Sequence, residues 1–130
     1  MDEYVFSDDW ARAWQAEINA NEVYREAAAT WEDPVAFAVE GDGGRAVFVD
    51  LWHGECREAR SALAGDLDRA PYVISGDAGS WVDVLDGTLE PLNALVTGRL
   101  RLVKGSIGAL AFHIRSAREL VSSARRVQKP

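Results

Sequence analysis

The stretch from Asp86 to Ile114, DGTLEPLNALVTGRLRLVKGSIGALAFHI, constrains the fold more tightly than any other part of the chain. It changes its apolar period twice, with glycine at each change. Leu89, Leu92 and Val96 fall at i, i+3 and i+7, with Leu95 beside them, which predicts one apolar stripe along a short helix. Gly98 supplies the sharp exit such a helix needs. In Arg99-Leu100-Arg101-Leu102-Val103 the leucines alternate with arginines, the pattern of a half-buried strand with its charges toward water. Lys104-Gly105 turns the chain and Ser106 stands where a helix N-cap belongs. Ile107, Leu110, Ile114, Ala117 and Val121 then repeat at helical spacing, which predicts one long last helix. No residue of this unit is chemically reactive; it presents apolar surface.

Upstream, Ser7 is placed to cap a first helix, with Asp8 and Asp9 in the first turn, where the positive dipole end favours carboxylates. Trp10, Trp14 and Ile18 form its apolar stripe. Asn21 is placed to cap a second helix carrying Tyr24, Ala27, Ala28 and Trp31, which Asp33-Pro34 ends. Val35, Phe37 and Val39 alternate as a strand. Gly41-Asp42-Gly43-Gly44 is the clearest hairpin signal, and the run from Arg45 to His53 alternates again, with Val47, Val49 and Leu51 on one face. Glu55 to Leu63 suits a polar strand, but Glu58-Ala59-Arg60-Ser61-Ala62 would equally suit a helix. Gly65-Asp66 and Pro71 bracket a loop, and Tyr72-Val73-Ile74-Ser75 reads as a compact buried strand.

Taken in order, these pieces resemble the sterol carrier protein type-two family. The resemblance rests on Pro91 with Leu92, Ala94 and Leu95, then Gly98-Arg99-Leu100-Arg101-Leu102, the Gly105 turn, and Gly108-Ala109-Leu110-Ala111-Phe112. Asp77-Ala78-Gly79-Ser80-Trp81-Val82-Asp83-Val84-Leu85-Asp86-Gly87 is similar to the family's preceding segment, in which a polar turn opens a helix. Phe6-Ser7-Asp8-Asp9-Trp10 and Glu22-Val23-Tyr24-Arg25 are similar to stand-alone microbial members. What the resemblance implies is an α+β fold: a five-stranded, mostly antiparallel sheet with helices on one face and an apolar tunnel between the layers. It also implies a strand for Glu55 to Leu63.

A chain of 130 residues is the size of one domain, and at this length roughly two-thirds of the unfolded surface can be buried without disulfides. Its one cysteine, Cys56, has no internal partner, which suits a reducing compartment and a cytoplasmic location. Met1-Asp2-Glu3-Tyr4 lacks the basic-then-apolar form of a signal peptide. A net charge of −7 argues against a nucleic-acid partner and against strong adhesion to anionic membranes.

Little in the chain suggests catalysis. His53 and His113 are the only histidines, and no GxSxG, phosphate-loop or HExxH motif occurs. One Cys and two scattered His do not make a metal site, and no cofactor is expected. Asp77, Asp83 and Asp86 fit a helix start and a solvated face. Spacing alone reads the aliphatic stripes as packed core. The resemblance implies instead that some of them line a tunnel for a lipid or other apolar small molecule. The candidates are Val47, Val49 and Leu51 on the sheet, Trp81 and Leu85 on the first covering helix, Leu92, Leu95 and Val96 on the next, and Leu110 and Ile114 on the last. An acidic head group would then meet Arg99, Arg101 or Lys104 at the mouth. The same fold permits a second reading: a closed-tunnel interaction or dimerisation module, a homodimer included, with Trp10 or Trp52 at the interface.

Overall fold

A computed structural model describes residues 1–41 and 43–128. Asp42 of the expected hairpin lies outside the described residues, as do Lys129 and Pro130. The elements in chain order are α1 (Asp8–Asn19), α2 (Glu22–Ala27), β1 (Val35–Glu40), β2 (Ala46–Trp52), β3 (Glu55–Ser61), α3 (Asp66–Arg69), β4 (Tyr72–Asp77), α4 (Ala78–Asp86), α5 (Pro91–Thr97), β5 (Leu100–Lys104), α6 (Ile107–Phe112) and α7 (Ile114–Arg125). The strands form one sheet in the order β3-β2-β1-β4-β5. The β1–β4 pair is parallel and the other pairs are antiparallel.

Register lays one apolar row across the sheet. Val47 pairs with Phe37, Phe37 with Ile74, and Ile74 with Leu102. Because side chains alternate along a strand, this row and its i±2 neighbours face the same side. That side is covered by six of the helices, and its residues form the main core with Trp10, Trp14, Ile18, Val84 and Leu120. On the opposite face Ala36, Ala70 and Val73 make a small second cluster beneath Leu67 of α3 and Phe48. Gly76 of β4 sits where any Cβ would run into Leu100, so the close approach of β5 requires glycine there.

The edge strand β3 is closed by α1. Asn19 accepts from the Cys56 N–H at 2.8 Å and donates to the Cys56 carbonyl at 2.9 Å. Gln15 accepts from the Ala59 N–H at 3.1 Å, and Asp8 from the Ser61 N–H at 3.0 Å. Polar side chains of one helix thus occupy backbone groups that would otherwise be left open at a sheet edge. Ser7 caps α1 through the Trp10 N–H at 3.2 Å, as its position predicts. Asn21 caps α2 through the Tyr24 N–H, and its Nδ2 donates to Glu119 and Ser123 of α7.

Four expectations are corrected. The second helix stops at Ala27, ahead of Trp31 and Pro34. The Gly65–Pro71 segment holds a helical turn, α3, started by Gly65 at φ +87° and held by Asp66. The single last helix is two, because His113 (φ −107°, ψ 26°) leaves helical geometry between α6 and α7. Trp10 is not available for an interface: it is buried, stacked at 5.0 Å from Phe6 and 5.1 Å from Trp14 between ring centroids.

Candidate functional site

An apolar cavity of about 60 Å³ lies between the sheet and the helices. Val35 and Phe37 of β1, Ile74 of β4 and Leu100 of β5 form its floor. Trp81, Val84 and Leu85 of α4, Pro91, Leu92 and Leu95 of α5, and Leu110 of α6 close it, together with the Ile114–Ala117–Leu120–Val121–Ala124 stripe of α7. Phe6, Trp14 and Trp31 complete the wall.

Three of the five tryptophans therefore reach the cavity, and each hides its polar end. The indole N–H of Trp14 donates to the Leu120 carbonyl at 2.9 Å, that of Trp31 to Asp33 at 2.7 Å, and that of Trp81 to Ala38 at 2.9 Å. With the N–H groups satisfied by backbone, the rings offer the cavity hydrocarbon only. Such a space can reward burial of apolar surface but gives no directional recognition.

Of the ten candidate lining residues, Trp81, Leu85, Leu92, Leu95, Leu110 and Ile114 border this cavity. Val47, Val49 and Leu51 are fully buried but do not line it. They lie on β2, one strand beyond the floor, where α1 covers the sheet. Val96 is 76% exposed. On the single short helix α5, Pro91, Leu92 and Leu95 turn inward, and Val96 faces solvent on the other side. The lining missed from sequence includes the whole floor, besides the aromatic wall and much of the α7 stripe: Val35, Phe37, Ile74 and Leu100 alternate as clearly as β2 does, but the strand order that centres them was not legible.

The charged mouth expected around β5 is not there. Arg99 donates to Ser80 at 2.9 Å and to Asp83 at 2.7 Å, Arg101 pairs with Glu40, and Lys104 donates to the backbone carbonyls of Leu67 and Asp68. None of the three borders the cavity. Arg99 is held against α4, Arg101 by Glu40 and Lys104 by the α3 carbonyls, so local acceptors already engage all three.

The remaining polar candidates are spoken for locally. His53 bridges Glu32 at 3.0 Å and the Ala29 carbonyl at 2.7 Å. His113 packs edge-on against Trp31, ring centroids 4.3 Å apart. Burial pushes the Cys56 thiol up to about 12, so it is protonated at neutral pH. Asp77 caps α4 through the Ser80 N–H at 2.7 Å, which holds its carboxyl below the usual range. No group of three or more metal-ligating side chains occurs among the described residues. No helix among them is long and apolar enough to cross a membrane.

Known proteins share this architecture. The sequence model of the SCP-2 sterol transfer family matches residues 13–112. The crystal structure of a sterol carrier protein 2 is 45% identical, with 95% of this chain and 99% of that one covered at a TM-score of 0.88. The solution structure of a conserved hypothetical protein from Thermus thermophilus, a sterol carrier candidate, is 44% identical over 96% of this chain and 90% of its own, TM-score 0.84. The apo form of Yarrowia lipolytica sterol carrier protein 2 covers 94% of this chain and 90% of its own, at 13% identity and a TM-score of 0.62, and shows the shared fold alone. No curated protein matches the sequence. The fold, the family model and two solved structures nearly half identical over almost the whole chain agree: this chain belongs to the SCP-2 sterol transfer family.

Proposed function

We propose that this protein is a non-catalytic carrier of lipids, and that fatty acyl chains or similar apolar ligands bind in the cavity beneath α4, α5 and α7. The observation that carries the proposal is a cavity walled by hydrocarbon, with every tryptophan N–H at its border turned onto backbone. Family membership and the sterol carrier proteins among its structural relatives support it. The protein works as one unit from α1 to α7, since residues of both helices belong to the same core. The proposal puts it in the cytoplasm, which its lone buried thiol, Cys56, supports.

Size limits what can enter. A space of about 60 Å³ holds roughly five water-sized groups. Five methylenes contribute about 4 kcal/mol gross, less than association alone costs. A longer chain or a ring system must therefore push helices outward, and α5 and α6 are the short elements best able to give. Micromolar affinity, about −8 kcal/mol, is then a ceiling for modest chains. Selectivity among chain lengths is low, because each added methylene changes little. Titration of delipidated protein with a fluorescent fatty acid tests this. Saturable one-to-one binding is expected; no saturable binding, with no lipid in native mass spectra of the purified protein, removes the proposal.

A second reading, the closed-tunnel interaction module, draws support from the smallness of the cavity and from Phe112 and Ile107 of α6, which are 88% and 62% exposed. Light scattering over a dilution series separates the two: a stable dimer that takes up no lipid favours the module.

A further inference from the structure

The short helix α6 has two unlike sides. Leu110 is buried and borders the cavity. At about 100° per residue, Ile107, Ala111, Gly108 and Phe112 fall within one arc of about 140°, and Leu110 lies outside it. All four residues of the arc are exposed, Phe112 by 88% and Ile107 by 62%. Leu110 and Phe112 stand about 160° apart around the axis, so a rotation that covered Phe112 would expose Leu110. Both ends of the helix are also anchored. Gly105 enters it at φ +111° over the Tyr72 ring, where a Cβ would lie 2.5 Å from Cδ1. His113 leaves it packed on Trp31.

The charges around this face are of one kind. The chain carries −7 overall, yet the run from Gly98 to Arg118 holds Arg99, Arg101, Lys104, Arg115 and Arg118 and no Asp or Glu. Three of these are matched from elsewhere: Arg99 by Asp83, Arg101 by Glu40 and Arg118 by Glu90. Lys104 and Arg115 remain, one at each end of α6, and the residues between them include no Asp, Glu, Lys or Arg. Lys104 donates to the Leu67 and Asp68 carbonyls, which leave its charge intact. Arg115 is exposed in the first turn of α7, at the positive dipole end, where a cation gains nothing from the helix. An uncharged apolar face between two cations matches the layering of a phospholipid surface, where phosphates lie outside the acyl chains. A protein partner fits less well. Six residues make a helix about 9 Å long, and a stable protein interface buries about 800 Å² on each side.

We propose that α6 is the docking element for a phospholipid bilayer, with Phe112 and Ile107 inserted among the acyl chains and Lys104 and Arg115 at the phosphates. This rests on the lipid-carrier reading given above, and it names the surface from which the ligand is taken. Leu110 of the same helix borders the cavity, so docking brings the cavity within one helix diameter, about 10 Å, of the acyl layer. Two inserted side chains give weak, reversible attachment, which suits a carrier that must leave again.

The test is sedimentation of the protein with phosphatidylcholine vesicles, with no fatty acid added. Wild-type protein should partition onto the vesicles. Phe112→Ser should lower the partition coefficient about tenfold, and Ile107→Ser by a comparable factor. Leu63→Ser, which removes a side chain 64% exposed on the loop before α3, should leave it unchanged. Phe112 and Ile107 do not border the cavity, so both variants should bind a fluorescent fatty acid as tightly as the wild type. No sedimentation of the wild type, or equal sedimentation of wild type, Phe112→Ser and Ile107→Ser, overturns the docking site and leaves the carrier reading standing. A dimer in light scattering that Phe112→Ser disperses, without vesicle binding, also overturns it and gives the face to a second copy of the chain. Vesicle binding without any fatty-acid uptake overturns the carrier reading alone.

Discussion

Trp81 donates its indole N–H to the main-chain carbonyl of Ala38 at 2.9 Å, which ties α4 to β1 across the roof and floor of the cavity. The bond fixes the ring between Phe6 and Phe37, with centroids 5.2 and 6.0 Å away. The ring fills space that a ligand would otherwise use. Trp81→Phe removes the donor and part of the ring, and should cost about 2 kcal/mol of stability. It should also enlarge the cavity and move the preferred fatty-acid length upward. Urea unfolding and a chain-length series of fatty-acid titrations measure the two effects; an unchanged length profile would show that Trp81 does not limit the space.

Leu95 and Val96 are neighbours with opposite surroundings. Leu95 borders the cavity, and Val96 is mostly exposed. A carboxylate at position 95 enters an apolar wall with no partner, which costs more than the ~1–3 kcal/mol of an unpaired neutral polar group and should abolish uptake of fatty acid. The same change at position 96 should alter stability by less than about 0.5 kcal/mol and leave uptake intact. Leu95→Glu and Val96→Glu, compared by thermal melt and ligand titration, check this. Equal effects would mean that α5 rotates in solution.

How much of this was legible in the sequence differs by element. The caps at Ser7, Asn21 and Ser106 and the alternation of β1, β2 and β5 come from local chemistry, and local chemistry is written in adjacent residues. The break at His113 is not, because no glycine or proline marks it; the helix changes course in contact with Trp31, a residue far back in the chain. The lining was partly legible for the same reason. A stripe on one helix identifies an inward face, so Leu92, Leu95 and Leu110 are legible as inward-facing; that such a face borders a cavity came only from the resemblance. Whether a buried strand residue meets the cavity or another helix depends on strand order, and that separates Val47, Val49 and Leu51 from Phe37 and Ile74.

Cys56 should be silent in the native protein. Its thiol is buried and donates to the Glu58 carbonyl at 3.4 Å, and burial holds it protonated. A thiol reagent at neutral pH should label it only when α1 lifts from β3. Asn19→Ala deletes both hydrogen bonds to the Cys56 backbone and should cost about 1–2 kcal/mol, with labelling accelerated about tenfold or more. Rapid labelling of the wild type, at the rate of a free peptide thiol, contradicts this account of the edge.

Asp66 is 4% exposed and organises the turn before β4. It accepts from Arg60 Nη1 at 2.6 Å and from the Leu63 N–H at 2.5 Å. The Arg60 hydrogen bond, ahead of the Leu63 N–H and against the opposing effect of burial, holds its carboxyl below the usual range. A carboxyl whose pKa is lower folded than unfolded stabilises the fold fully above the unfolded value, about 3.9, and loses that contribution as pH falls through the folded value. Asp66→Asn keeps the shape but removes the charge that Arg60 meets, and should cost about 2–3 kcal/mol at neutral pH. The gap to wild type should stay constant down to about pH 4 and narrow below it. Asp68→Asn, an exposed neighbour, should show no such gap. Urea midpoints across this range measure it, and a gap that persists undiminished to about pH 2 would mean that the Arg60–Asp66 pair does not carry the stability assigned to it.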